Sequence, residues 1–154
     1  MADGGVVRLL VFRVGALACA AAAETVREIL PRMATTRIPG APAVVAGVVN
    51  VRGSLVTVVE GWRALGQPAP TGETPDGEIP AGTTVVLEFA GGRKVAGFTV
   101  DEVIDLLSVG GETLERRQAL PGIDPALVRA VGRRSGQLFV VLDTDALLTP
   151  ILAS

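Results

Sequence analysis

Hydrophobic and polar positions alternate along several short stretches of the chain. Alternation at every second residue places the apolar side chains on one face of a β-strand. It occurs at Leu10, Phe12 and Val14, at Val85, Leu87 and Phe89, and at Ala96, Phe98 and Val100. Two other stretches, "SLVTVVE" (54–60) and "QLFVVLD" (137–143), are almost continuously apolar, which is typical of strands covered on both faces. The pattern predicts a mainly β protein.

Two short segments have the spacing of helices instead. "AETVREILP" (23–31) and "GWRALG" (61–66), with their counterparts later in the chain, are predicted to be short helical turns that end at Pro31 and Gly66. The stretch "EFAGGRKVAG" (88–97) lies between two predicted strands and is interpreted as a hairpin turn, not as a phosphate-binding loop.

The segment 66–82, "GQPAPTGETPDGEIPAG", interrupts these patterns. It contains four prolines and three acids, so it fits neither a sheet ladder nor a helix and is predicted to be an exposed loop or linker. We therefore expect a single domain over 1–154 with two subdomains, at roughly 6–65 and 83–154, whose terminal segments are free to cross over.

The two halves of the chain resemble each other. Glu24, Val26, Glu28 and Leu30 correspond to Asp101, Val103, Asp105 and Leu107. Gly53, Leu55, Glu60 and Leu65 correspond to Gly136, Leu138, Asp143 and Leu148. This internal similarity predicts a duplication, and we expect two five-stranded barrels side by side with short helical turns.

Composition narrows the function. A net charge of −2 and few aromatic residues argue against nucleic acid as a partner. Cys19 is the one cysteine, so an intramolecular disulfide is excluded and a buried thiol is expected. The stretch "RLLVFRVGALACAAAAE" (8–24) resembles a signal peptide, but Arg13 interrupts it, and no apolar run has the length of a membrane span. We expect a cytoplasmic protein without direct membrane insertion.

Enzyme chemistry has little support. The chain has no histidine, which excludes histidine-based triads, histidine phosphotransfer and the usual zinc sites. The acidic pairs Asp101 with Asp105 and Asp143 with Asp145 are candidates for acid and base catalysis, but turn capping explains them better. The sequence therefore predicts a protein without catalytic residues, metal or cofactor.

Arg52 stands out within "GVVNVRGSLVTVVE" (47–60). Aligning Gly53 with Gly136 puts Ser135 opposite Arg52 and Arg133 opposite Asn50, so the arginine is not required at that position of the repeat. Two interpretations remain open. Arg52 is either a solvated arginine before a glycine turn, or it lies at a groove between the barrels, oriented by Asn50, where it binds a partner's carboxylate or helix C-terminus.

The stretches "FRVG", "ETVREILP", "TRIPGAPAVVAGVVNVRGSLVTVVE", "VAGFTVDEVIDLL" and "GQLFVVLDTDALL" together resemble the CheW-like chemotaxis coupling domain over nearly the whole chain. The run from Gly47 to Gly53 matches that family's central motif, usually Asn-Leu-Arg-Gly. The resemblance implies two SH3-like five-stranded barrels. It also implies a non-enzymatic adaptor that couples methyl-accepting chemoreceptors to a CheA-type histidine kinase in receptor arrays.

The resemblance also implies site residues. The receptor's cytoplasmic hairpin tip is expected at a groove near Arg52, Asn50, Glu28, Val26 and Gly47. The kinase's regulatory domain, itself CheW-like, is expected to pack barrel against barrel. Its implied contacts are Val86, which alternation points outward, and Gly97. For Val26 a core position, and for the glycines a bulge or close backbone approach, are alternatives.

One departure from the family pattern affects the expected partners. Glu60, Gly61 and Trp62 follow the strand where the family usually has Asp-Leu. An alternative function is therefore a CheW-like regulator that binds a receptor or another adaptor but not the kinase.

Overall fold

A computed structural model describes residues 5–69, 82–116 and 120–152 of the chain. Most of the predicted loop at 66–82 lies outside the described residues. Within those ranges the elements are β1 (Val6–Val14), β2 (Leu17–Ala22), β3 (Val26–Pro31), β4 (Val45–Val51), β5 (Ser54–Val59), α1 (Gly61–Ala64), β6 (Thr83–Phe89), β7 (Lys94–Val100), β8 (Glu102–Gly110), β9 (Glu115–Arg116), β10 (Val128–Arg134), β11 (Gln137–Leu142) and α2 (Thr144–Leu152). Across the same ranges, neither helix has the length and hydropathy needed to span a bilayer.

The strands form two sheets, which confirms the predicted mainly β architecture. One sheet has the order β8-β1-β2-β11-β10-β9, in which β9 is only two residues long, and the other has the order β3-β6-β7-β5-β4. Neighbouring strands are antiparallel except for β2 with β11 and β5 with β7, which are parallel. The predicted hairpin turn at 88–97 joins β6 to β7, which pair from Phe89 with Lys94 onward.

Each sheet curls so that its outer strands approach each other. In the five-stranded sheet, β3 and β4 are at opposite edges, yet Glu28 of β3 bonds to Arg52, which directly follows β4. In the other sheet, Asp105 of β8 bonds to Arg134 at the end of β10. Two ends of a sheet can meet in this way only if the sheet is strongly bent, as in a small barrel.

The order of strands agrees with the predicted duplication. If the strands of the first half are matched to those of the second, β8-β1-β2-β11-β10 and β3-β6-β7-β5-β4 follow one scheme. However, the first hairpin of each half belongs to the sheet that the other half mainly forms: β1 and β2 join β8, β10 and β11, and β6 and β7 join β3, β4 and β5. One sheet combines residues 6–22 with 102–142, whereas the other runs from 26 to 100. The chain therefore crosses between the sheets after β2 and again after β7.

The first predicted helix is wrong. Residues 26–31 are strand β3, preceded by a single 3₁₀ turn at Ala23–Thr25, and the corresponding segment after Asp101 is strand β8. In both strands partly buried and exposed residues alternate, so the period is that of a strand. Pairing with β6 and β1, which no local pattern reveals, decides the structure. The other predicted helices are present as α1 and α2.

The main core lies between the two sheets. It contains Phe12 and Phe98, whose rings meet edge to face at 6.1 Å, together with apolar residues from β1, β2, β6, β7, β11 and α2. Smaller clusters line the opposite faces. Leu9, Val11 and Phe139 belong to one, and Val49, Val56 and Val58 belong to the other. Each sheet thus has an intersheet face, on the main core, and an inner face toward its own barrel.

Cys19 lies in the main core with none of its surface exposed, as predicted. Burial raises the pKa of its thiol to about 12, because the thiolate would lose its hydration. We expect the native protein to be unreactive toward thiol reagents at pH 8, and the unfolded chain to react with one equivalent. A rapid native reaction with an absorbance-based thiol reagent would contradict the buried placement.

Candidate docking surface at the Arg52 hairpin

Arg52 occupies the tip of the hairpin between β4 and β5. Val51 pairs with Ser54, so Arg52 and Gly53 form a two-residue loop. Their φ angles of 51° and 87° are both positive, as a type I′ turn requires. Ser135 and Gly136, with φ angles of 51° and 79°, form the same turn between β10 and β11. The alignment that set Ser135 opposite Arg52 is therefore confirmed.

Asn50 supports this turn through the backbone. Its side-chain oxygen accepts a hydrogen bond from the Gly53 N–H at 2.8 Å. Asparagine side chains commonly stabilise turns by bonding to nearby backbone groups. Asn50 thus acts on the loop that carries Arg52, and not on the guanidinium itself as one of the two interpretations of the sequence expected.

The guanidinium of Arg52 bonds to Glu28. Nη1 donates to Oε1 at 2.8 Å, so the structure brings together the two charged residues that the resemblance placed in one neighbourhood. The Arg52 side chain is 77% exposed, whereas that of Glu28 is 19% exposed. Within the described parts of the chain, Nε and Nη2 of Arg52 have no partner. The arginine therefore faces solvent with spare donors, anchored at one nitrogen.

A second pair of this kind is present in the other sheet. Nε of Arg134 donates to Asp105 at 3.1 Å, and Asp105 is the counterpart of Glu28. The arginine is one position earlier in the hairpin, on the strand instead of the turn. An acid and an arginine thus join β3 to the β4–β5 turn in one sheet and β8 to β10 in the other. Matching positions of the two halves do not reveal this pair, because its arginine is displaced by one residue.

Four exposed apolar side chains share strand faces with residues of the main core. Ile29, 47% exposed, pairs with the core residue Val85, and Leu55, 73% exposed, is on the same face of β5 as the core residue Val59. In the other sheet, Leu106 pairs with Leu10 of the core, and Leu138 shares a face with Val140. All four therefore lie on the faces of their sheets that carry the main core.

The other two residues predicted to contact the receptor, Val26 and Gly47, have roles in the fold itself. Val26 is partly buried against the main core at the start of β3. Gly47 lies at an irregularity of the β4 to β5 pairing, and a Cβ there would collide with the backbone oxygen of Thr36. The structure thus agrees with the alternative interpretations: Val26 packs against the core, and Gly47 allows a close approach of the backbone.

The predicted exposure of Val86 is wrong. Its side chain is only 3% exposed, because the face of β6 opposite the main core is the inner face of a curled sheet. Val86 pairs there with Glu28 and Gly97. Gly97 is also buried, and a Cβ would lie 2.9 Å from Cγ2 of Thr84. Alternation correctly placed Val86 on the face of β6 opposite the main core, but the curvature of the sheet buries that face.

Glu60, the departure from the family pattern, lies at a junction of several elements. Its carboxylate accepts from Nη2 of Arg32 at 3.1 Å and from Nε1 of Trp62 at 2.8 Å. The guanidinium of Arg63 stacks over the Trp62 ring, 4.3 Å from its centroid. The first residue of α1, Gly61, donates to Oγ1 of Thr99 at 2.9 Å. Glu60 and its neighbours therefore fix α1 against Arg32, which directly follows β3, and against β7.

The acidic residues considered for catalysis are engaged in local structure. Asp101 accepts from Arg13 and from the Gly15 N–H, and Asp105 from Arg134. Asp143 caps α2 through the Ala146 N–H, and Asp145 accepts from the Ala90 N–H at the β6 to β7 turn. These contacts fit the capping interpretation.

Comparison with known proteins adds to this geometry. Residues 8–151 match the family model of the CheW-like domain. A probable chemotaxis protein CheW from Rhizobium etli is 32% identical over 126 residues, which cover 81% of this chain and 74% of that protein. The chemotaxis protein CheW from Rhizobium meliloti is 27% identical over 139 residues, covering 90% and 84%.

Among solved structures, the scaffolding protein TtCheW from Thermoanaerobacter tengcongensis superposes with a TM-score of 0.80 at 20% identity. The match covers 93% of this chain and 92% of that protein. It establishes a shared fold.

Proposed function

The chain belongs to the CheW-like domain family of chemotaxis adaptors, and on that premise we propose that it couples methyl-accepting chemoreceptors to a CheA-type histidine kinase. It does so by binding both partners and not by catalysing a reaction. In this proposal the adaptor is recruited to chemoreceptor arrays by these contacts.

The receptor's cytoplasmic hairpin tip docks at the Arg52 hairpin. The observation that carries this proposal is the exposed guanidinium of Arg52, anchored by Glu28, with the exposed Leu55 three residues further on. Ile29 adds apolar surface on the same face of the sheet. A helical hairpin offers an apolar stripe for such side chains, and carboxylates or a helix C-terminus for the arginine.

The kinase's regulatory domain packs against the other sheet. Leu106 and Leu138 are exposed there and belong to strands β8 and β11. Val86 and Gly97, which the resemblance implied as contacts, are buried. Neither residue therefore contributes a direct contact to this proposal.

Calorimetric titration tests both contacts. The protein is titrated with a receptor fragment containing the cytoplasmic hairpin and, separately, with the regulatory domain of the cognate kinase. We expect saturable binding to each, and we expect Leu138→Glu to weaken kinase binding at least about tenfold, because a charge would be buried in an apolar contact. Absence of receptor binding would refute the adaptor role proposed for the Arg52 surface.

A kinase-blind regulator is the second candidate, and the burial of Val86 favours it. Receptor binding without kinase binding, from the same folded preparation, would select this alternative. Leu55→Glu is the matched control for Leu138→Glu, since these leucines occupy equivalent positions in the two hairpins. The control is expected to leave kinase binding unchanged.

A further inference from the structure

A cleft of about 310 Å³ lies between elements of the two sheets. Its lining comes from the end of β1 and the turn after it, from α1 and the segment that follows, and from the residue between β7 and β8. The lining includes Arg13, Gly15, Trp62, Pro68 and Asp101. The volume is at the lower end of the range for small-molecule sites, about 300–1,000 Å³, and such sites are common at the junction of two structural units.

The cleft is remote from the Arg52 hairpin. Strand β5 begins at Ser54, two residues after Arg52, and ends at Val59, two residues before the start of α1. A strand rises about 3.3 Å per residue, so the two ends of β5 are about 17 Å apart. None of the exposed leucine and isoleucine side chains proposed above as receptor or kinase contacts lines the cleft. It is therefore a separate surface of the protein.

The matching place in the second half of the chain contains a direct hydrogen bond. There Asp145, the second residue of α2, accepts from the Ala90 N–H in the β6 to β7 turn at 2.7 Å. In the first half, Trp62 stands at the position of Asp145. Gly15 stands at the position of Ala90, and their φ angles of 60° and 54° agree. The Gly15 N–H, however, donates to Asp101 at 2.9 Å. The turn of the first half thus bonds to the crossover instead of the helix, and the cleft lies between turn and helix.

One positive and one negative side chain face this cleft as a pair. Nη1 of Arg13 donates to Oδ2 of Asp101 at 2.9 Å, and Nε of Arg13 donates to Glu102 at 3.2 Å. In the described parts of the chain, neither Nη2 of Arg13 nor Oδ1 of Asp101 has a partner. The guanidinium is 42% exposed and the carboxylate 29% exposed. The pair therefore retains one donor and one acceptor for a ligand.

Trp62 supplies the main apolar surface of the cleft. Its Nε1 donates to Glu60 at 2.8 Å, and the guanidinium of Arg63 stacks over its ring. These two contacts fix the orientation of the ring, and Pro68 adds a further apolar side chain. The cleft thus combines a charged pair with a flat apolar surface held in place.

We propose that this cleft binds a small zwitterion of the class of free α-amino acids. Asp101 takes the ammonium group, Nη2 of Arg13 takes the carboxylate, and an apolar side chain packs against Trp62 and Pro68. A simple anion would meet the carboxylate of Asp101, and a simple cation would meet the guanidinium. A ligand with both charges complements both groups. Once bound, it contacts elements of both sheets. The inference goes beyond the proposed function and does not depend on it.

Fluorescence of Trp62 tests the inference directly, because it is the one tryptophan of the chain. The protein is titrated with L-leucine and, as ligand controls, with N-acetyl-L-leucine and L-leucinamide, each of which lacks one of the two charges. Calorimetry under the same conditions detects binding that leaves the emission unchanged. We expect saturable binding of L-leucine, and binding at least about tenfold weaker for each control, the loss of one charge-assisted hydrogen bond.

Two results would overturn the proposal. Equal binding of L-leucine and both controls would refute recognition of a zwitterion. No saturable binding of L-leucine by either method, at millimolar concentrations, would refute the site itself.

Variants of Arg13 assign the carboxylate contact. Arg13→Gln is expected to weaken binding of L-leucine at least about tenfold, and Arg13→Lys, which keeps the positive charge, to weaken it less. Arg134→Gln is the matched control, because Arg134 also forms a partly exposed ion pair but lies outside the cleft. It should bind L-leucine as the parent does. Thermal denaturation without ligand confirms that each variant is folded. Parent-like affinity in folded Arg13→Gln would contradict the assigned contact.

Discussion

Arg52→Glu is expected to abolish receptor binding while leaving the protein folded. The substitution removes the exposed donors and puts a carboxylate at the outermost point of the hairpin, within reach of Glu28, which Arg52 now contacts at 2.8 Å. An acidic group on the receptor would then meet two negative charges in place of a positive one. Charge reversal at a contact of this kind is expected to reduce affinity by about a hundredfold or more.

The expected effect on stability is small. Arg52 is largely exposed, and an exposed ion pair contributes roughly 0–1 kcal/mol. We therefore expect the free energy of unfolding, measured by urea denaturation, to fall by about 1 kcal/mol. A much larger loss would mean that the ion pair to Glu28 is a structural requirement, and the loss of binding would then carry no information about the receptor.

Arg134→Glu is the matched control. It places the same like-charge pair in the other sheet, next to Asp105, at the equivalent contact between β8 and β10. Its cost in stability should be comparable to that of Arg52→Glu, whereas receptor binding should remain near the parent value. Equal loss of receptor binding in both variants would contradict a docking surface confined to the Arg52 hairpin.

Much of the fold could be predicted from local patterns. Alternating residues identified β1, β6 and β7, and glycines marked the turns between strands. Internal similarity predicted the duplication, whose strand orders agree in the two sheets. Such features depend on periodicity and turn chemistry, which short windows of sequence contain.

Features set by distant parts of the chain were less predictable. Residues 26–31 have acids and apolar residues at spacings that also suit a helix, and pairing with β6 makes them a strand. Val86 was assigned to the face of β6 away from the main core, but curvature encloses that face. Both errors have one origin, because barrel closure is a long-range property that local alternation does not encode.

The candidate site shows the same division. The turn at Arg52 and Gly53 and the equivalence with Ser135 and Gly136 could be read from the sequence. The ion pair to Glu28 depends on the meeting of opposite sheet edges. The matching pair of Arg134 with Asp105 was missed because the arginine is displaced by one residue. Matching positions of two repeats show which residues have been substituted. They do not show that the same contact is made by a side chain one position away.

The second large effect is expected from Gly61→Ala, at the start of α1. Gly61 is buried, and a Cβ there would collide with the backbone oxygen of Thr99 and lie 3.1 Å from Cε2 of Phe98. Thr99 and Phe98 belong to β7, in the middle of the five-stranded sheet, so neither can move without disturbing strand pairing. The variant is expected to lose about 3 kcal/mol or more of stability in urea denaturation, as for an overpacked core.

Gly122→Ala controls for the general cost of adding a methyl group. Gly122 has a φ of 85° but open space around the position of a Cβ, so its substitution should cost about 1 kcal/mol, from backbone strain alone. If Gly61→Ala cost no more than this control, α1 would have room to shift. Its contacts through Glu60, Trp62 and Thr99 would then not hold it rigidly against Arg32 and β7. A much larger loss of stability in Gly61→Ala than in Gly122→Ala would instead show that close packing between α1 and β7 requires a glycine at position 61, where the family usually has leucine.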